Sequence, residues 1–181
     1  MSNKQNEFEI IKYGVHLTRL RHEDIEMVRN WRNSPEIANN MAFRDHITPE
    51  MQEKWFSSIE NSNNFYFLVN VQRKPIGLVN LKNVDYDRLD AEGGAFIGIP
   101  EAAEAFSGLR AALAIYDFGF EAIGLKSIYI HVLRDNIGAI RLNKMIGFIE
   151  EPTPKNSHLL AFRVTSEQYN LATKTLKQRF I

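Results

Sequence analysis

Apolar and polar residues alternate along some stretches of the chain and recur every three to four positions along others. Val15-His16-Leu17-Thr18-Arg19-Leu20 alternates, which fits a strand with one buried face. Over residues 22–33, Ile25, Val28 and Trp31 fall at helical spacing. Asn33-Ser34-Pro35 ends that helix, because the residue before proline avoids the helical region. Thr48-Pro49-Glu50 opens a second helix with an N-cap, a first-turn proline and an acid, and Met51, Trp55, Phe56 and Ile59 form its buried face. Residues 65–71 are aromatic and β-branched and read as a strand. Arg73-Lys74-Pro75 is the turn, residues 76–84 a second strand and residues 95–99 a third, with the polar residues 85–90 as a turn between these two.

After Pro100 the period becomes helical, with Leu109, Leu113, Tyr116 and Phe120 on one face and Gly124 as C-cap. Residues 127–133 read as a strand, 136–145 as a short helix closed by Gly147, and 158–164 as a late strand. Thr165-Ser166-Glu167-Gln168 matches a capping box and opens a final helix along Tyr169, Ala172, Leu176 and Phe180. Strands and helices mixed in this order predict one α+β (three-layer α/β) domain over residues 1–181, with residues 1–9 as a loose lead-in.

Composition narrows the function. The 181 residues carry 22 Lys+Arg against 22 Asp+Glu and no cysteine. Zero net charge argues against a nucleic-acid partner and permits association into a homodimer. Without cysteine there is no disulfide, no thiolate metal ligand and no thiol nucleophile. The five histidines show no metal-binding spacing, so no metal is expected. The polar start and the charge at Asp117 within the apolar residues 111–120 predict a cytoplasmic protein with no membrane partner.

One segment carries the chemistry. A strand ending at Ile99 leads through the loop 100–108 into the Leu109 helix, then through a second strand into Asn136-Ile137-Gly138-Ala139-Ile140-Arg141-Leu142-Asn143-Lys144-Met145-Ile146-Gly147-Phe148. Strand, loop and helix start form a template for pyrophosphate, because first-turn N–H groups are unpaired and the helix dipole favours an anion.

This block, with the strand over residues 92–98, resembles the GNAT superfamily of acetyl-CoA-dependent N-acetyltransferases, and the order of elements agrees over nearly the whole chain. Residues 20–24 and 29–37 resemble the ribosomal-protein N-terminal acetyltransferases. Trp31-Arg32-Asn33, followed by Ile47-Thr48-Pro49-Glu50 and Trp55-Phe56, is more similar to relatives that acetylate amino-sugar nucleotides. The resemblance implies a mostly antiparallel sheet flanked by helices, with one splayed strand pair. It implies acetyl-CoA as cofactor and direct attack of a primary amine on the thioester. The acceptor is an amino-sugar nucleotide or, as the alternative, a protein N-terminus. A degenerate fold serving as a binding or regulatory module is the rival reading.

The resemblance places the cofactor on Phe96, Ile97, Gly98 and Ile99, on Ala105, Phe106, Ser107, Gly108 and Leu109, and on Asn136, Ala139 and Lys144. Two departures stand out. The family's Arg/Gln-x-x-Gly-x-Gly/Ala loop is here Ala103-Glu104-Ala105-Phe106-Ser107-Gly108, with Phe106 in the central glycine's place and a negative charge at Glu104. Asn143 occupies a position where many members carry a tyrosine acid, and an asparagine can only hydrogen-bond. Glu92 is the candidate base, against the reading of a solvated turn carboxylate. His131 is a second candidate base or a histidine with no catalytic part. Trp31, Arg32 and Met41 are the candidate acceptor residues, against core packing and a solvated helix face. With zero net charge, the positive potential for CoA has to be local, from helix amides and from Lys144, Arg110 or Arg141.

Overall fold

The computed structural model describes residues 8–100, 104 and 106–180. These residues form an eight-stranded sheet in the order β1-β2-β3-β4-β5-β6-β8-β7. The strands are β1 (Glu9–Lys12), β2 (Val15–Arg19), β3 (Phe65–Val71), β4 (Lys74–Asp85), β5 (Asp90–Ile97), β6 (Ser127–Leu133), β7 (Ile149–Glu151) and β8 (Leu159–Thr165). All neighbours pair antiparallel except β5 and β6, which are parallel.

Helices cover both faces. A short 3-10 turn (His22–Asp24) leads into α1 (Ile25–Asn33), which is followed by α2 (Pro35–Ala38) and α3 (Pro49–Ile59). On the α1/α3 face, Ile25, Val28, Trp31, Phe56 and Ile59 pack on Tyr66, Leu68 and Leu78. The other face carries α4 (Ser107–Asp117), continued by a wider turn over Phe118–Ile123, with α5 (Ile137–Met145) and α6 (Ser166–Lys177). There Leu109, Leu113, Tyr116, Ile146 and Tyr169 meet Phe67, Val69, Val79 and Leu81. Strand β3 sends Tyr66 and Leu68 to one layer and Phe67 and Val69 to the other, so its apolar run is unbroken because both faces are buried.

Several boundaries differ from the sequence reading. Pro75 belongs to β4 and not to the turn, which is Gln72-Arg73, both at positive φ. The proline falls at the strand's start, beside a register shift at Val69/Asn70, where its missing N–H is tolerated. Ser34 does stop α1, but Pro35 then starts α2. On α3, Met51 is 39% exposed and Gln52 takes the buried position, donating to the Ile25 carbonyl. Strand β5 begins at Asp90, five residues before the expected start, and β1 and β7 were not expected at all.

Asp117 ties the far ends of the chain together. It is 1% exposed and receives Lys12 Nζ (2.7 Å), Tyr13 Oη (2.6 Å), Tyr169 Oη (2.9 Å) and Lys177 Nζ (2.6 Å). Burial pushes its carboxyl up. The hydrogen bonds from Lys12, Lys177 and Tyr13 outweigh that and hold it below the usual carboxylate range. No helix among the described residues is long and apolar enough to cross a membrane.

Candidate active site

Strands β5 and β6 pair only at Asp90↔Ser127, Ala91↔Ile128 and Glu92↔Tyr129. Beyond Glu92, β5 keeps its β4 partners through Gly77↔Ile97 but has none on β6. The two strands therefore splay, and the β6-facing edge of β5 is left with free backbone groups. A cleft of about 840 Å³ opens from this gap. Its one end is lined by Phe96, Ile97, Gly108, Asn136, Ala139 and Asn143, its other by Arg32, Met41, Trp55 and Tyr66.

Glu92 stands where the strands part. It lies within β5, not in a turn, and its side chain is 18% exposed. Oε2 faces Lys82 Nζ at 3.3 Å and Oε1 faces His131 Nδ1 at 3.3 Å. His131 is the more solvated of that pair, at 43% exposure. Two glycines follow. A Cβ at Gly93 would come within 2.8 Å of the Tyr116 ring and 3.0 Å of its hydroxyl, so only glycine lets β5 lie over Tyr116. Tyr116 also lines the cleft, and its hydroxyl makes no hydrogen bond among the described residues. Burial raises its pKa.

Toward the α1/α3 side, Tyr66 meets the Trp55 ring edge-on at 5.3 Å. Burial and then the charge of Glu92 push the Tyr66 phenol up to about 12. Asn80 is its register partner on β4.

The α5 end of the cleft is built by a cap. Asn136 Oδ1 accepts from Ala139 N at 3.0 Å and starts the helix, which leaves its amide Nδ2 for a ligand. Asn143 lines the cleft, but its Nδ2 donates to the Ala139 carbonyl at 2.8 Å, one helical turn back.

The expected cofactor loop is only partly described, and Ala103 and Ala105 lie outside the described residues. Phe106 has φ +66°, a left-handed conformation typical of glycine. Its ring is 65% exposed and packs near Phe180. The backbone path of a glycine is thus kept while the side chain points out of the cleft. Ser107 Oγ donates to the Glu104 carbonyl, Gly108 lines the cleft and Leu109 is core. The Glu104 carboxylate is taken up by Arg110 (3.2 Å) and Gln72 (2.8 Å).

The other expected residues sit nearby or elsewhere. Gly98 and Ile99 both donate backbone N–H to Ile76, curling onto β4 and off the gap. Trp31 is buried, with its indole seated against Gly98 and edge-on to Phe96. It backs β5 and does not line the cleft. Lys144 is turned to Glu150, 3.5 Å away, and lies over the Phe162 ring. Tyr66, Asn80, Lys82, Gly93, Gly94 and Tyr116 line the cleft but carried no distinctive signal in the sequence. Tyr66, Asn80, Lys82 and Gly94 face it because of strand alternation and the register of β3, β4 and β5, and Tyr116 because α4 passes under Gly93, neither of which a local motif encodes.

A parallel pair that splays, followed by a helix N-terminus and an asparagine-capped helix, suits a pantetheine arm running to a pyrophosphate. Comparison with known proteins agrees. Residues 15–149 match the family described as the acetyltransferase (GNAT) domain. The chain belongs to the GNAT acetyltransferases. It is an N-acetyltransferase whose cofactor is acetyl-CoA. Among relatives, it is 26% identical over 137 residues to the spermidine N(1)-acetyltransferase of Vibrio cholerae, covering 75% of this chain and 79% of that one. It is 27% identical over 126 residues to acetyltransferase PseH of Campylobacter jejuni, covering 68% of this GNAT chain and 75% of that one. Among solved structures, the nucleotide-linked sugar GNAT FdhC superposes with a TM-score of 0.82 at 18% identity, covering 97% of this chain and 99% of FdhC.

Proposed function

We propose that this GNAT enzyme acetylates the primary amine of a nucleotide-linked amino sugar. The observation that carries the reading is the single cleft that joins the splayed strands to the aromatic pocket under α1 and α3, with Glu92 at the join. Its volume is near the upper end for small-molecule sites and has room for a cofactor arm and a sugar-sized acceptor. The fold shared with a nucleotide-linked sugar GNAT over almost the whole chain supports the same acceptor. The cysteine-free sequence suits a reducing, cytoplasmic setting.

When bound, acetyl-CoA supplies an acetyl thioester open to direct attack. The chain's own residues handle the amine's proton. An amine reaches the cleft as ammonium and has to lose a proton before it can act as a nucleophile. Glu92 takes that proton on a carboxylate oxygen and passes it to His131, whose greater exposure leads it to solvent. On the opposite face of the sheet, under Gly93, Tyr116 keeps its proton at neutral pH on a hydroxyl that has no partner among the described residues. Tyr116 thus donates a hydrogen bond toward the departing sulfur, its raised pKa making it a donor and not a proton source, and the proton on the released thiol comes from solvent. Asn136 Nδ2 and the free β5 edge hold the cofactor arm, and Gly108 admits its approach to α4.

A second reading, a polyamine acceptor, is favoured by the spermidine acetyltransferase relatives. Thiol release from acetyl-CoA, followed with a nucleotide-linked 4-amino sugar, spermidine and a peptide N-terminus, separates these. The amino-sugar nucleotide is expected to turn over fastest. Cofactor binding without release from any amine would leave the non-catalytic module as the better account.

A further inference from the structure

Arg32, on the last turn of α1, makes no ion pair and no hydrogen bond among the described residues. Its Nε is fully out of solvent and unpartnered. Arg110 Nε shares that state, but the Arg110 guanidinium reaches a carboxylate through Nη1. Arg29 pairs with Glu26, Arg88 with Asp85 and Asp90, Arg110 with Glu104, and Arg163 with Glu151 and Asp90. A half-buried guanidinium without a counter-charge is costly, and few buried polar groups in a native fold go unpaired.

A second unpartnered donor lies close by. Asn80 Nδ2 is buried with no acceptor, and Asn80 faces Tyr66 across β3 and β4. Tyr66 in turn feels the charge of Arg32. Both orphan donors line the cleft, on the side where the acceptor enters. Glu92 is the one carboxylate among the cleft-lining residues, and Lys82 and His131 already face it. The acceptor pocket therefore offers donors and positive charge in excess of negative.

We infer that Arg32 is an anion-binding residue of the acceptor subsite, with Asn80 as a second donor, and that the acceptor carries a phosphate or carboxylate away from its reactive amine. This rests on the reading of the cleft as an amine acceptor site. A planar guanidinium suits either oxyanion, through paired N–H donors. A polyamine brings cations to this pocket and nothing for Arg32 to bind.

The test compares wild type with Arg32→Gln and Arg32→Lys on four acceptors: a nucleotide-linked 4-amino sugar, the same amino sugar without its nucleotide, an ω-amino acid, and spermidine. Hydrogen bonds to charged groups are strong enough that Arg32→Gln should raise the KM of the anionic acceptors about tenfold to a hundredfold. The neutral amino sugar should be unaffected, and Arg32→Lys should recover part of the loss. Thermal stability should not fall, since Arg32 makes no hydrogen bond or ion pair among the described residues. Dependence on Arg32 for the amino acid but not the nucleotide sugar identifies a carboxylate, overturning the sugar reading and leaving this inference standing. Preference for spermidine, or an equal KM change for charged and neutral amines, overturns the inference and leaves the acetyltransferase intact. A binding arm needs no turnover. With saturating CoA filling the cofactor site, calorimetric titration with UDP and with inorganic phosphate should show affinity that Arg32→Gln weakens, and binding indifferent to the substitution overturns the inference.

Discussion

Glu92 takes its importance from the register around it. It is the last β5 residue paired to β6, so its carboxylate stands where an acetyl group and an amine can meet. Glu92→Gln keeps the shape and removes the proposed base. Turnover should fall by about a hundredfold or more, the usual range for a lost general base. The rise of rate toward alkaline pH should flatten, as read from a kcat–pH profile, and unchanged kinetics would remove Glu92 from the chemistry. Tyr116→Phe removes a hydroxyl that makes no hydrogen bond among the described residues, so the melting temperature should hold while kcat falls. Equal kcat in the two proteins would leave Tyr116 as packing alone. The sequence marked Glu92 as a candidate because it sits ahead of the cofactor loop. Tyr116 was legible only as one apolar residue of a helical stripe. What distinguishes it is Gly93 lying on top of it, a contact between β5 and α4 that spacing along the chain does not encode.

At the scale of elements, periodicity placed the long helices and the apolar strands well. The bounds of β3 and β6 agree with the sequence reading, and the capping box at Thr165 forms with both of its hydrogen bonds. The periodicity missed the first half of β5 because Gly93 and Gly94 look unlike a strand, although they are small to admit Tyr116 and Asn80. It lost β1 and β7 because these are three or four residues long and lie at the sheet's edges, where few side chains are buried and no alternation is imposed. The cofactor loop shows the same separation of side chain from backbone. Phe106 looks like an obstruction in sequence, yet it takes a glycine's left-handed conformation and points its ring outward. A left-handed non-glycine residue costs roughly 1–2 kcal/mol, which Phe106→Gly relieves, offset by the greater unfolded-state freedom of glycine. The variant should be as stable as wild type in urea denaturation despite the lost aromatic ring. A loss above about 2 kcal/mol would show that the Phe180 contact matters more than the backbone.

Across the whole molecule, zero net charge resolves into local imbalance. Asp117 gathers Lys12 and Lys177, joining β1 and α6 through α4, while Arg32, in the proposed acceptor pocket, has no ion pair among the described residues. Asp117→Asn leaves two cations facing a neutral amide. It should destabilise the fold by about 3 kcal/mol, the lower end for a broken buried pair because Lys12 is partly solvated. The sign with pH follows from the lowered pKa. The stabilisation from Asp117 is present above the unfolded carboxyl value and is lost as pH falls through the depressed folded value. Wild type and Asp117→Asn should therefore converge in stability in acid and diverge toward neutral pH, and parallel curves would contradict this. The central claim is that acetyl passes directly from acetyl-CoA in the splayed gap to an amine beside Glu92, with both bound at once. Initial rates with a nucleotide-linked 4-amino sugar varied at several fixed acetyl-CoA concentrations test it most directly. Intersecting double-reciprocal lines are predicted, and parallel lines, the mark of an acetylated enzyme, would contradict it.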